Sequence, residues 1–152
     1  MLKLIIGDKN YSSWSLRPWL LLKMIGEPFE EHLVRLKQPD TAQRIRQLSP
    51  SGKVPILFDG HAAIWDSLAI AEYLNECYPA ARLWPDERAT RALARSLCAE
   101  MHGGFTEMRR VMPMDIRGRY PCPQGNAQLD ADIARIIDIW ERQRRDYSTY
   151  GP

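Results

Sequence analysis

Three short segments place polar groups where a folded chain leaves backbone donors unpaired. The first is Tyr11-Ser12-Ser13-Trp14-Ser15, between an apolar run and a helical pattern. Hydroxyls at a helix N-terminus meet free N–H groups and the positive end of the helix dipole, which suits an anion, a thiolate included. Serines also cap helices, so plain capping is the other reading. The second is Ser51-Gly52-Lys53-Val54-Pro55. A proline that opens a strand cannot donate to the ladder. A cis Val54–Pro55 bond would turn the N–H and C=O of Val54 outward, free to pair with an extended, peptide-like ligand as an added strand. An ordinary edge-strand proline is the alternative. The third is Asp66-Ser67, at the start of another helix. The Ser67 hydroxyl and nearby N–H groups suit a carboxylate, and Asp66 suits an ammonium; a simple cap is again the alternative. Taken together, the three ask for a ligand with a thiol, a peptide-like middle and an α-amino-acid end. Glutathione has those parts in that order.

These segments need elements to hold them. Leu2 to Ile6 is a compact apolar run bounded by Gly7 and predicts a strand. Ser15 to Ile25 predicts a helix, with Leu16, Leu20 and Met24 on one face, Pro18 in the first turn if Ser15 is the cap, and Gly26 as its stop. His32 to Leu36 predicts a second strand, and Thr41 to Leu48 a short helix. Val54 to Phe58 and His61 to Trp65 flank Asp59-Gly60, a hairpin signal, and should pair antiparallel. Asp66-Ser67 opens a helix through Cys77, with Ile70 and Leu74, Leu68 and Ala71 on its inner side; Tyr78-Pro79 ends it. The order β-α-β then α-β-β-α describes a small mixed sheet with helices on both faces.

The rest reads as helical. Asp86 can cap a long helix in which Ala89, Ala92, Leu93, Ser96, Leu97, Met101, Gly104, Phe105 and Met108 follow steps of three and four. Pro113 disturbs it. Pro121, Pro123, Gly118 and Gly125 mark a loop. Gln128 to Tyr147 forms a further helix with Leu129, Ile133, Ile136, Ile137 and Trp140 on its apolar side, before the chain stops at Tyr150-Gly151-Pro152. Two helices cover each other's stripes only partly, so the remainder must pack on the first half, a partner chain or further residues.

Composition narrows the function classes. The chain has 152 residues, of which 45% are hydrophobic and 26% charged, so it can build a core and is not disordered throughout. A net charge of +2 does not suggest nucleic-acid binding. No apolar run near the start is long enough to span a bilayer, and the N-terminus turns polar at Asp8 rather than reading as a signal peptide. The three cysteines, Cys77, Cys98 and Cys122, form no C-x-x-C. They build neither a disulfide scaffold nor a zinc knuckle nor a dithiol redox pair, which points to the cytoplasm.

The chain resembles the soluble glutathione transferases, especially bacterial members near the zeta class. The residues that carry the likeness are Ser12-Ser13-Trp14-Ser15-Leu16-Arg17-Pro18-Trp19, then Ser49-Pro50-Ser51-Gly52-Lys53-Val54-Pro55-Ile56-Leu57, then Trp65-Asp66-Ser67-Leu68-Ala69-Ile70 leading to Glu72-Tyr73-Leu74. It extends through Met101-His102-Gly103-Gly104-Phe105. The resemblance implies an α/β thioredoxin-like N-terminal domain over residues 1–78, a linker over 79–85 and an all-α domain over 86–152 that lacks the family's later helices. It implies a cytoplasmic homodimer that uses glutathione as cosubstrate, with no metal, no nucleic acid and no membrane partner. The activating serine would be Ser12 or Ser13. Val54 would pair with the cysteinyl backbone beside a cis Pro55, Lys53 would be a further contact, and Asp66 and Ser67 would hold the γ-glutamyl end. A small hydrophobic electrophile would lie against Met101, Phe105, Met108 and Arg109, residues that otherwise read as interhelical core. His102 by itself reads as a surface or packing histidine. Zeta isomerases usually carry a cysteine where Trp14 stands, so that position argues against maleylacetoacetate isomerisation and against the cysteine-dependent omega and beta types.

The implied chemistry is attack by an activated thiol. A free thiol has a pKa near ~8.5. Lowering it by about two units takes roughly 2.7 kcal/mol. A helix N-terminus supplies about 0.3–1 kcal/mol, up to ~2 when partly buried, and a hydrogen bond to a charged group about 1.5–3 kcal/mol. The sum needs neither metal nor general base. The alternative is a non-catalytic module of the same fold that holds glutathione or a protein partner.

Overall fold

Strand β1 (Leu2–Gly7) is covered on both faces, and its side chains divide by the two-residue period of a strand. In the computed structural model, which describes residues 1–124 and 126–147, Leu2, Leu4 and Ile6 face one way and Ile5 the other. Gly125 and the terminal Tyr150-Gly151-Pro152 lie outside the described residues. The first face packs on Leu22 of α1 (Ser13–Ile25) and on Ile70 and Leu74 of α3 (Ser67–Cys77). The second packs on Ile45 of α2 (Thr41–Leu48), with Val34 of β2 (Phe29–Val34) and Ile56 of β3 (Ile56–Asp59). Helices therefore cover both faces, as expected. The sheet order is β2-β1-β3-β4, with β4 at Ala62–Trp65. β1 and β2 are parallel (Leu4 opposite Glu31), while β3 is antiparallel to both β1 (Leu4 opposite Leu57) and β4 (Ile56 opposite Trp65).

Several boundaries differ from the sequence reading. β2 begins at Phe29 rather than His32 and ends before Leu36. It is an edge strand with only Val34 buried, so it carries no apolar alternation to read. β3 begins at Ile56 rather than Val54, and the hairpin turns through Gly60-His61, one residue later than Asp59-Gly60. Helix α1 starts at Ser13 with Ser12 as its cap, which moves Pro18 from the first turn into the second. Its buried residues are Ser15, Pro18 and Leu22; Leu20 and Met24 are 46% and 76% exposed, so the expected face points to solvent.

The expected long helix from Asp86 is two helices. Glu87, not Asp86, caps α4 (Arg88–Gly103), accepting from the N–H groups of Ala89 (2.8 Å) and Thr90 (2.6 Å), while Asp86 pairs with Arg82. α4 ends at Gly103-Gly104. A Cβ on Gly104 would sit 2.8 Å from the Glu100 carbonyl oxygen, and Phe105 takes a left-handed φ of 60°. α5 (Thr106–Val111) then starts after this break. Phe105 cannot cap it with a side chain; Asp132 of α6 (Ala127–Asp146) does so from across the interface, accepting from the Met108 N–H at 3.0 Å. In α6, Leu129, Asp132 and Ile136 are buried, whereas Ile137 and Trp140 are 52% and 63% exposed. Arg135 of α6 bridges to Glu100 of α4 (2.6 and 2.8 Å), and Arg95 of α4 to Glu72 of α3 (3.0 and 2.9 Å).

The reassigned face of α1 is directly measurable. Leu22→Ala should cost about 2–5 kcal/mol of unfolding free energy, and Met24→Ala less than about 0.5 kcal/mol, by urea denaturation. Equal costs would restore the outward stripe as the packed one. A second expectation concerns acid. Arg110, and secondarily Asn126, hold the Glu107 carboxyl down at about 2. That stabilisation is complete above the ordinary carboxylate value near ~4.3 and is lost as pH falls from there through about 2. The Tm deficit of Glu107→Gln should therefore be largest at neutral pH and shrink on acidification; a deficit that is constant with pH would refute this.

Candidate functional site

The three polar turns meet at one cavity of about 850 Å³. Tyr11, Ser12 and Trp14 come from the β1–α1 turn, Ser51 to Pro55 from the loop into β3, Trp65 to Ser67 from the β4–α3 turn, and His102 from the end of α4. Leu36 and Ile45 also line it.

Each turn is held by its own polar contacts. Backbone N–H groups of Tyr11 and Ser12 donate to the Asp8 carbonyl (3.1 and 2.8 Å), which closes the turn after β1. The Ser12 Oγ accepts from the Ser15 N–H (3.3 Å) and donates to the Ser15 Oγ (2.8 Å); the Ser15 Oγ in turn accepts from the Gly7 N–H (3.0 Å). Ser12 is buried yet lies on the cavity wall. Ser13, the first helical residue, is half-buried and does not line the cavity.

In the second turn Ser49 Oγ accepts from the Lys53 N–H (3.3 Å), and Gly52 takes a φ of +66°, which a side chain would strain. Val54–Pro55 is cis. Val54 lies outside the β3 ladder, which begins at Ile56, so its backbone is not used by the sheet.

At the third turn Asp66 adopts φ +77° and ψ 133°, an unusual conformation for a residue with a side chain. Its Oδ1 caps α3 by accepting from the Leu68 N–H (2.8 Å), and its Oδ2 meets His102 Nε2 at 3.0 Å. Ser67 is buried, and among the described residues its Oγ has no hydrogen-bond partner. A buried hydroxyl without a partner is costly unless a ligand completes it.

The structure thus brings together Ser12, Lys53, Val54, Pro55, Asp66 and Ser67. It does not bring in Ser13, nor Met101, Phe105, Met108 and Arg109. Phe105 is buried beside the helix break, Met108 offers its N–H to Asp132, and Arg109 donates to the carbonyls of Gly104 (3.1 Å) and Met101. Arg109 reaches the site indirectly. Its guanidinium lies 4.6 Å from the Trp14 ring centroid, and that of Arg17 lies 4.3 Å from it. Burial, with Arg109 nearby, lowers the Arg17 pKa, and burial pushes the Cys98 thiol up, away from a reactive thiolate.

Sequence reasoning missed His102 as a lining residue. It packs edge-on against Trp14 (5.2 Å between centroids), pairs with Asp66, and leaves its Nδ1 buried and without a partner among the described residues. Its one signal was its place just before Gly103-Gly104, where the helix ends. Tyr11, Trp14 and Trp65 also line the cavity without having been singled out by chemistry. Among the described residues no group of three or more His, Cys, Asp or Glu is arranged to hold a metal ion, and no helix is long and apolar enough to cross a membrane.

Known proteins resemble this chain in sequence and in fold. Residues 11–77 match the family described as glutathione S-transferase, N-terminal domain. A probable maleylacetoacetate isomerase of Vibrio cholerae is 36% identical over 109 residues, covering 67% of this chain and 51% of that protein. The maleylacetoacetate isomerase of Dictyostelium discoideum is 36% identical over 131 residues, covering 85% of this chain and 58% of its own length. The chain therefore spans about half the length of the curated relatives it matches. Among solved structures, a glutathione transferase homologue from Burkholderia with bound glutathione superposes with a TM-score of 0.72 at 26% identity, covering 93% of this chain and 66% of that one. The matched domain holds all three cavity turns, so residues 11–77 are a glutathione S-transferase N-terminal domain, and the fold likeness continues into the helices beyond it.

Proposed function

We propose that the chain binds glutathione in this cavity and holds its thiol as a thiolate for attack on a small hydrophobic electrophile. The observation that carries the reading is the orphaned Ser67 Oγ at the start of α3, on the wall of the same cavity as the capping serine of α1. The two helix N-termini supply donors for the two anionic parts of such a ligand. The γ-glutamyl carboxylate takes the Ser67 hydroxyl and adjacent N–H groups, and its ammonium takes Asp66. The cysteinyl backbone pairs with the free N–H and C=O of Val54, as an added strand. Lys53 is exposed at the rim and offers its charge to the glycyl end. The sulfur then lies at Ser12, where one donated hydrogen bond and the α1 dipole together lower its pKa. Ser12 is a donor, not a nucleophile, and no proton acceptor among the side chains is needed.

The isomerisation named for the Vibrio and Dictyostelium relatives is not part of this proposal, because Trp14, contacted by the guanidinium groups of Arg17 and Arg109, stands where such isomerases usually place a cysteine. The homodimer and the cytoplasmic setting rest on the family likeness and belong to the same proposal. A second reading, a binding module without turnover, is favoured by one observation: the Ser12 hydroxyl donates to Ser15 rather than toward the cavity. Turnover of glutathione with a generic aryl halide separates the two readings.

Ser12→Ala should raise the pKa of bound glutathione by about 1–2 units while leaving it bound, read as thiolate absorbance in an ultraviolet titration; Ser13→Ala should leave it in place. A shift in Ser13→Ala alone would move the donor to Ser13, and none in either variant would remove this activation site. By calorimetry, Ser67→Ala should weaken glutathione binding by about tenfold or more. Unchanged affinity would place the γ-glutamyl carboxylate elsewhere, and zero heat from the parent chain at millimolar ligand would end the glutathione reading.

A further inference from the structure

We infer that Ser15 is a positioning residue that sets which way the Ser12 hydroxyl points, and so how strongly Ser12 can donate to a thiolate. The inference rests on the reading of Ser12 above and deepens it. The two hydroxyls lie 2.8 Å apart with both side chains buried, and between them they hold two hydrogens but share one bond. In the structure Ser12 is the donor, while the Ser15 Oγ also accepts from the Gly7 N–H. The Ser15 hydroxyl hydrogen bonds no other acceptor among the described residues. Only Ser12 lines the cavity.

This geometry has two settings related by rotation about two Cβ–Oγ bonds, with no proton transferred. In the first, Ser12 donates to Ser15, its Oγ presents lone pairs to the cavity, and the Ser15 hydrogen is left without an acceptor. In the second, Ser15 donates to Ser12, and Ser12 offers its hydrogen to the cavity. The second setting satisfies both hydrogens, but only when an acceptor lies in the cavity. A thiolate is such an acceptor, and a neutral thiol is a poor one. The Gly7 N–H stays paired with Ser15 throughout, so the switch costs the sheet nothing. A donor behind Ser12 also polarises its O–H and strengthens the bond it makes in front.

The test is a double-mutant cycle on the full 152-residue chain, read as the pKa of bound glutathione. Ser15→Ala should raise that pKa by roughly half a unit, about a threefold loss of thiolate at fixed pH. In a Ser12→Ala background the same change should do nothing, because Ser15 acts only through Ser12. Ser15→Thr keeps the hydroxyl and should restore the parent titration; should Ser15→Ala not fold, Ser15→Cys, whose sulfur can still accept from the Gly7 N–H but donates only weakly, takes its place in the cycle. Equal shifts with and without Ser12 would overturn the inference, as would a Ser15→Ala protein that loses stability but titrates like the parent. If Ser12→Ala leaves the thiol pKa where it was, the underlying assignment of Ser12 fails. If Ser12→Ala moves it and Ser15→Ala does not, only the role of Ser15 fails.

Discussion

The bond from the Gly7 N–H to the Ser15 Oγ, 3.0 Å long and buried, ties the sheet to the site. Gly7 ends β1, and a backbone donor buried there must be paired. A helix side chain takes it, so the end of the central strand is fastened to the first turn of α1. The segment between them has little freedom left, since Tyr11 and Ser12 both donate to the Asp8 carbonyl. Ser12 is thereby held at the cavity wall by the core itself. The same economy recurs at α3, where Asp66 caps the helix with one carboxylate oxygen and leaves Ser67 facing inward unspent.

Much of this was legible in the residues. The compact apolar run of Leu2 to Ile6, the antiparallel hairpin and the inner face of α3 through Ile70 and Leu74 all follow from patterns that burial imposes. Helix α1 was harder. Its apolar residues are dense enough to draw more than one stripe, and the register turns on where the helix begins. Ser15 and Pro18 face inward because the Ser15 Oγ accepts from the Gly7 N–H and a proline has no N–H to strand, neither of which hydrophobicity can register. β2 hid for the opposite reason: an exposed edge strand has no buried face to betray it.

The cavity shows the same division. Capping chemistry exposed its three turns separately, since each depends on neighbours in the chain. His102 stayed hidden because its partner Asp66 is brought close only by the packing of α4 on α3. The group around Arg109 does not line the cavity for a related reason. The break at Gly104 frees carbonyl oxygens, and the Arg109 guanidinium turns to satisfy them instead of facing the cavity.

The division of Asp66 between two tasks carries a thermodynamic consequence. One of its oxygens holds the start of α3 and the other is engaged by an imidazole from α4. A cation arriving at Asp66 competes with that imidazole, so filling the cavity and seating α4 share a common free-energy term. Linkage makes the effect mutual: whatever shifts the docking of the helices rescales the affinity of the sheet domain for its ligand, and by the same factor in return.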